Sequence, residues 1–183
     1  MAEPRYIYKK QDYVIIFLLF IPAAYITFLF HEFGHWIVGE FLGNDMVYNL
    51  NSVRPIAGDY KNSYDGLFVI LGGPLFTIFQ AIFFLLIIEK FKTIYAYPFV
   101  FFPVFMRFIT LTAGRFSEQD EAKISNMLNI GTYTFALIIL GILLITILRA
   151  SYNLKIGLKR NFYFMAISTV CIFLVTETDK LIS

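Results

Sequence analysis

Residues 13–30 and 66–88 are long enough, and sufficiently free of charge, to cross a lipid bilayer. Residues 13–30 contain eighteen consecutive uncharged positions, and residues 66–88 contain twenty-three. A helix of about 20 apolar residues spans the hydrocarbon core. Inside that core every backbone N–H and C=O group must find a partner, which a helix provides within one segment. The sequence therefore predicts a membrane protein built from helices.

The composition extends this prediction to the whole chain. Of the 183 residues, 58% are hydrophobic, 19% are aromatic and only 15% are charged, which is too apolar for a single soluble core. We predict an all-α polytopic membrane protein that forms one membrane-embedded domain over residues 1–183, in contact with the lipid bilayer. About five transmembrane helices are expected, at residues 13–42, 66–88, 93–113, 127–148 and 162–176.

The charged residues lie between these spans and are scattered. The net charge is only +2, and no basic block indicates a nucleic-acid partner. Counting Lys and Arg in alternate loops gives nine on the amino-terminal side and six on the other. Because cytoplasmic loops carry the excess of basic residues, we expect a multi-pass protein of the cell membrane with a cytoplasmic amino terminus. Residues 149–161 are read as a basic loop.

The longest polar stretch is the first loop, residues 44–65, in which Asn, Asp, Gly and Pro favour turns. We favour a plain surface loop there. The alternative is a short β-element, with one strand from Val47 to Val53. Such a strand could add an extended peptide to its edge.

The first span carries the only two histidines of the chain, His31 and His35, with Glu32 between them. Residues four apart lie on one face of a helix, so both rings can bind one metal ion. The pattern H-E-x-x-H is typical of zinc hydrolases, in which the glutamate is the general base. Ionisable groups inside hydrocarbon are rare and usually functional. Two interfacial histidines would explain neither the spacing nor the adjacent glutamate.

A catalytic zinc ion usually has three protein ligands, so a third ligand must come from elsewhere in the chain. Asp120 and Glu121 lead the candidates because they begin what looks like a helix. In a competing interpretation, Ser117 and Asp120 form a capping box and Asp120 only closes the helix start. Cys171 is read as a core thiol. The remaining candidates are acidic residues near span ends: Asp45, Asp59, Asp65, Glu89 and Glu118.

Two further features of the spans suggest contacts inside the membrane. The tetrapeptide Gly72-Gly73-Pro74-Leu75 opens the second span, where small residues allow close helix approach and proline frees an upstream carbonyl. This fits a segment packed against the histidine-bearing helix. Arg107 lies late in the third span and is expected to extend to the membrane surface. Otherwise it faces the interior and pairs with a carboxylate near the metal.

The sequence His31-Glu32-Phe33-Gly34-His35 on one membrane helix, followed by Gly72-Gly73-Pro74-Leu75 on the next, resembles the site-2 protease family of intramembrane zinc metalloproteases. The resemblance covers about residues 13–130 and implies a minimal catalytic core. In that family, a distant aspartate within a Leu-Asp-Gly sequence completes the zinc site. This chain lacks that sequence, and Gln119-Asp120-Glu121 looks like a compact variant of it.

The resemblance implies roles for individual residues. Glu32 would be the catalytic base, and one Zn²⁺ per chain would be held by His31, His35 and Asp120, with Glu121 as the alternative third ligand. Substrate would be bound by the Gly72-Gly73-Pro74 segment.

The activity implied is hydrolysis of peptide bonds within or near transmembrane segments of membrane-protein substrates. One alternative is a catalytically inactive metal-binding scaffold that captures transmembrane helices. Another is a transporter or channel with His31, Glu32 and Arg107 along an ion path, although five unequal spans without a repeat argue against it. Di-iron lipid desaturases are excluded because they need many more than two histidines.

Overall fold

A computed structural model describes residues 9–112 and 116–182 of the chain. Within these residues the backbone forms six α-helices, two short 3₁₀ turns and one two-stranded antiparallel sheet. The helices are α1 (Lys10–Phe41), α2 (Asp65–Phe91), α3 (Tyr97–Thr112), α4 (Asp120–Met127), α5 (Thr134–Leu154) and α6 (Leu158–Ile182). The strands are β1 (Met46–Asn49) and β2 (Ser52–Pro55), and the 3₁₀ turns are Ile94–Ala96 and Phe116–Glu118.

Five helical segments are long and apolar enough to cross a membrane, which confirms the predicted all-α polytopic fold. They are Gln11–Phe41, Asp65–Phe91, Ile94–Thr112, Thr134–Leu154 and Leu158–Ile182. The remaining helix, α4, is not such a span, because it has only 8 residues and a polar composition. It lies between the third and fourth spans and packs against α2 and α5.

The fourth and fifth spans differ from the predicted ones. The fourth begins at Thr134 rather than at residue 127, because Asn129 and Gly131 have positive φ angles of 54° and 87° that interrupt the helix. The fifth is 25 residues long rather than about fifteen, since its charged end turns are helical as well. The predicted basic loop 149–161 is correspondingly wrong, and only residues 155–157 separate the two helices. The predicted third-span end at residue 113, the basic residues Arg5 and Arg115, and residues 1–8 lie outside the described residues.

The first loop contains a β-hairpin rather than one strand or a plain loop. Residues 50 and 51 form a tight turn, with Asn49 paired to Ser52 and Met46 paired to Pro55. The hairpin lies beside α1, where the Tyr48 hydroxyl donates a hydrogen bond to the Leu29 carbonyl at 2.7 Å. The favoured interpretation as a plain surface loop is thus wrong, and the alternative, a short β-element, is confirmed, although it is a hairpin and not one strand. Asn51 favours a turn, so one continuous strand from Val47 to Val53 would have had a turn-forming residue in its interior.

Buried polar groups tie the spans together at mid-bundle. Pro103 has no N–H, so the carbonyl four residues earlier, at Phe99, loses its helical partner. The Gln80 amide donates to this carbonyl at 3.2 Å and to the Thr27 hydroxyl at 2.8 Å. One glutamine of α2 therefore bonds to both α1 and α3.

We expect Gln80→Leu to lower the free energy of unfolding by about 1 kcal/mol, because two acceptors inside the bilayer lose their donor. Thermal or denaturant unfolding in detergent measures the change. Ser168→Ala is the matched control, since the Ser168 hydroxyl is buried but has no hydrogen-bond partner in the described part of the chain. A Gln80 variant as stable as the Ser168 variant would contradict the prediction.

Candidate metal centre

The two histidine rings of α1 lie side by side in the protein interior. His31 and His35 are only 4% and 7% exposed, and both face α2 rather than lipid. Their ring centroids are 4.7 Å apart, and their Nε2 atoms are separated by 3.2 Å. The spacing of four residues has therefore placed both imidazoles on one face of the helix, as predicted.

Asp120 completes a triangle with these two nitrogens. Its Oδ2 atom lies 3.0 Å from His31 Nε2 and 3.1 Å from His35 Nε2. A tetrahedral zinc ion with bonds of about 2.0–2.1 Å would hold its ligand atoms about 3.3 Å apart. The three atoms thus have nearly the spacing that a zinc ion requires.

Outer hydrogen bonds orient both rings toward this triangle. The His35 Nδ1–H group donates to the Val69 carbonyl at 2.7 Å. The Thr77 hydroxyl donates to the Gly73 carbonyl at 3.0 Å, so it accepts from His31 Nδ1 at 2.9 Å. With a metal bound, protons on both Nδ1 atoms would leave the two Nε2 lone pairs free for it, which is the usual arrangement of metal-binding histidines. Thr77 was not predicted from the sequence. The feature that could have indicated it is a single hydroxyl residue in the second span, one helical turn after Gly73.

Glycines at the contact of α1 with α2 make room for the rings. A Cβ atom on Gly34 would lie 2.5 Å from the Gly72 carbonyl oxygen. A Cβ atom on Gly73 would overlap His35 Nε2 and lie 2.5 Å from His31 Cε1. Gly72, Gly73 and Pro74 are buried in this contact, and the residues lining the adjacent cavity do not include them. Their geometry indicates a packing role, and substrate binding by this segment stays a prediction.

Glu32 lies beside the histidines and lines a cavity. One of its carboxylate oxygens lies within 4.8 Å of a ring nitrogen of each histidine, and the three residues form a cluster able to hold a metal ion. The cavity has a volume of about 590 Å³. Its wall includes the metal cluster, the hairpin residues Asn51, Ser52 and Val53, and Tyr60, Arg107 and Lys123. A water molecule and a peptide both fit in such a space.

Asp120 is the first residue of α4, and its surroundings keep it ionised. Burial alone would raise the pKa of Asp120, but when no metal is bound the hydrogen bonds and charges of protonated His31 and His35 hold this pKa well below its usual range. The capping-box interpretation is wrong, because Gln119 is the N-cap residue and no side chain caps the helix. Asp120 thus points its carboxylate at the histidines instead of at its own backbone.

Glu121 points elsewhere, toward Arg107. Its Oε1 atom lies 2.8 Å from Arg107 Nη1, and the two side chains are 2% and 4% exposed. The expectation that Arg107 extends to the membrane surface is wrong, and the alternative, a buried pair with a carboxylate near the candidate metal site, is confirmed. A guanidinium deep in the bundle is far more costly to leave unpaired than one at the surface. Glu121 is therefore occupied as an ion-pair partner.

The other candidate ligands make different contacts. Asp65 accepts from Asn44 at 2.9 Å, and Glu89 pairs with Arg149 at 2.7 Å. Cys171 is buried in the apolar core, as expected.

The charges around the triangle also favour a divalent cation. Glu32, Asp120 and Glu121 bring three carboxylates together, whereas Arg107 is the one buried basic group among the described residues that faces them. When all three carboxylates are ionised, two negative charges remain uncompensated in a region of low dielectric, which is unfavourable. A divalent cation at the triangle would neutralise them. The donor set and the charge both fit such an ion.

Comparisons with known proteins give no family assignment. No family model matches the sequence, and neither a curated protein nor a solved structure shows significant similarity to the chain. Function must therefore be argued from the cluster itself, and what its geometry supports is metal binding inside a polytopic membrane protein.

Proposed function

We propose that the chain is an intramembrane zinc metalloprotease of the site-2 protease type. It hydrolyses peptide bonds within or near transmembrane segments of membrane-protein substrates, as in regulated intramembrane proteolysis. The observation that carries this proposal is the convergence of His31 Nε2, His35 Nε2 and Asp120 Oδ2 at separations of 3.0–3.2 Å, beside the carboxylate of Glu32.

His31, His35 and Asp120 would hold one zinc ion per chain, a nitrogen and oxygen donor set that zinc accepts readily. Three protein ligands leave one position open, as in catalytic rather than structural zinc sites. A zinc ion held by these three residues would supply Lewis acidity, which polarises the scissile carbonyl and acidifies the attacking water.

Glu32 performs the proton transfers of the reaction. Its carboxylate removes one proton from water as the water oxygen bonds to the carbonyl carbon. The same proton then passes to the amide nitrogen as the carbon–nitrogen bond breaks, which leaves a carboxylic acid and an amine. Glu32 suits this role because its carboxylate lies within 4.8 Å of both histidine rings, while Asp120 Oδ2 makes the shorter contacts of 3.0 and 3.1 Å with them.

The substrate must lose its helical form locally, since each turn of a helix shields the peptide bonds inside it. The hairpin offers an extended template, because Ser52 and Val53 of β2 lie in the cavity wall. A strand edge at this place would hold an unwound segment by main-chain hydrogen bonds. Such a complex would form in the cell membrane with the amino terminus of the protease in the cytoplasm.

The direct test combines metal analysis with a cleavage assay. Purified full-length protein is expected to contain one zinc ion per chain and to cleave members of a library of single-span substrates. Stoichiometric zinc without any turnover would favour the metal-binding scaffold instead. Ion flux through liposomes that contain the protein would favour a transporter or channel.

The third ligand is tested by two neighbouring substitutions. Asp120→Asn is expected to lower zinc affinity by at least about 100-fold, because it removes an anionic ligand from the triangle. Glu121→Gln is the matched control and should retain the metal, since Glu121 faces Arg107. Zinc content by atomic absorption measures both. The reverse pattern, with zinc lost only in Glu121→Gln, would make the glutamate the ligand.

A further inference from the structure

Arg107 lies in the cavity wall, and some of its contacts are not explained by packing or by metal binding. It belongs to α3, in the third span, and only 4% of its surface is exposed. Its guanidinium lines the cavity that contains Glu32 and the histidines. A positive charge beside a metal site disfavours cation binding, so its position requires a different explanation.

Nη1 of the guanidinium pairs with Glu121 and Nη2 faces the His31 ring, whereas Nε lacks a partner among the described residues. Nη1 lies 2.8 Å from Glu121 Oε1, which fixes the side chain, although this oxygen makes no well-aligned hydrogen bond. Within residues 9–112 and 116–182, the buried Nε–H group of Arg107 has no hydrogen-bond partner. Buried donors without partners are costly and are expected where a ligand supplies the acceptor.

Nη2 lies against the His31 ring, 2.8 Å from Nδ1 and 3.3 Å from Nε2. When His31 binds a metal through Nε2, its Nδ1 atom carries a proton that is donated to Thr77. The ring then offers Arg107 no acceptor at Nδ1. The N–H groups of Nη2 therefore need an oxygen atom from elsewhere, at a point next to the metal triangle.

We propose that Arg107 is a catalytic residue that donates hydrogen bonds to the scissile carbonyl oxygen of the substrate as this oxygen becomes an oxyanion. The assignment rests on the proposed protease function. The carbonyl oxygen gains negative charge when water adds to the carbon, and loses it when the carbon–nitrogen bond breaks. A fixed guanidinium stabilises the charged state more than the neutral carbonyl, so it accelerates the reaction.

A purely structural role makes a different prediction. If Arg107 served only to hold Glu121, and through it α4, then loss of the pair would misplace Asp120 and release the metal. The metal content therefore separates a positioning residue from a catalytic one.

The test uses the full-length double variant Arg107→Gln/Glu121→Gln, which removes both charges of the pair and leaves no unpaired buried ion. We expect zinc content and KM close to those of the wild type, with kcat lower by about 10²–10³-fold. A phosphinic peptide inhibitor, which mimics the oxyanion, should bind more weakly by a similar factor. Glu121→Gln alone keeps the guanidinium but removes the carboxylate that fixes it, so kcat should fall less than in the double variant.

Each other outcome overturns the assignment. Loss of zinc from the double variant would make Arg107 a positioning residue, and unchanged kcat with zinc bound would remove any role for it in the reaction. If the wild type binds zinc but cleaves no substrate, the protease function fails and the assignment fails with it. A wild type that cleaves substrate, beside a double variant that is equally active, refutes the Arg107 role alone.

Discussion

Replacement of Glu32 by glutamine is expected to lower peptide hydrolysis by about 10²–10⁴-fold while the protein keeps its zinc. Glutamine has nearly the same shape as glutamate, but its amide cannot take a proton from water. The metal ligands proposed here, His31, His35 and Asp120, are untouched by this change. Single-turnover cleavage of a transmembrane substrate, together with metal analysis of the same preparation, measures both parts of the expectation.

Substitutions on the same helix provide the comparison. His31→Ala and His35→Ala should lose zinc and activity together, since each removes a ligand atom from the triangle. Glu40→Gln removes a carboxylate two turns further along α1, where it accepts from the Met46 amide, and should leave kcat near the wild-type value. Full activity in Glu32→Gln would exclude this residue as the base.

Local sequence was sufficient to predict the parts of the site that lie on one helix. The spacing of His31 and His35 and the length of the uncharged run determine a helix face and a membrane span, and both predictions depend only on neighbouring residues. The hairpin was harder to predict, because Leu50 and Asn51 form its turn within a sequence that also allows one strand. The helix bounds near Thr134 and Leu158 failed because charged and polar residues continue or interrupt helices independently of hydropathy.

Contacts between distant helices could not be predicted in the same way. Arg107 and Glu121 are fourteen positions apart, and only the packing of α4 against α2 and α5 decides that they meet inside the bundle. From the sequence alone, Arg107 could lie either at the membrane surface or in the interior of the bundle. The choice between them depends on a carboxylate supplied by another element, and hence on tertiary structure.

Substitution of the adjacent glycines Gly72 and Gly73 of α2 by alanine is the second change with a large expected effect. The added methyl group meets a different obstacle at each position. At Gly72 the methyl group would overlap the backbone carbonyl of Gly34 on α1. Backbone cannot move aside without separating the helices, so Gly72→Ala is expected to destabilise the whole protein by about 1–3 kcal/mol. Thermal unfolding in detergent, with Gly141→Ala as the control, measures this loss. Apart from its own helix backbone and chain neighbours, Gly141 has no described atom within 4 Å of an added Cβ.

At Gly73 the methyl group would instead overlap the imidazole of His35 and press on that of His31. Side chains can turn where backbone cannot, so Gly73→Ala should fold with a smaller loss of stability. Turning either ring breaks its hydrogen bond to Val69 or Thr77 and moves Nε2 out of the triangle. Zinc affinity is then expected to fall by about 100-fold, with loss of cleavage at limiting zinc. A Gly73→Ala protein that binds zinc as tightly as Gly141→Ala would mean that the rings do not need this space, and the metal centre described here would have to be wrong.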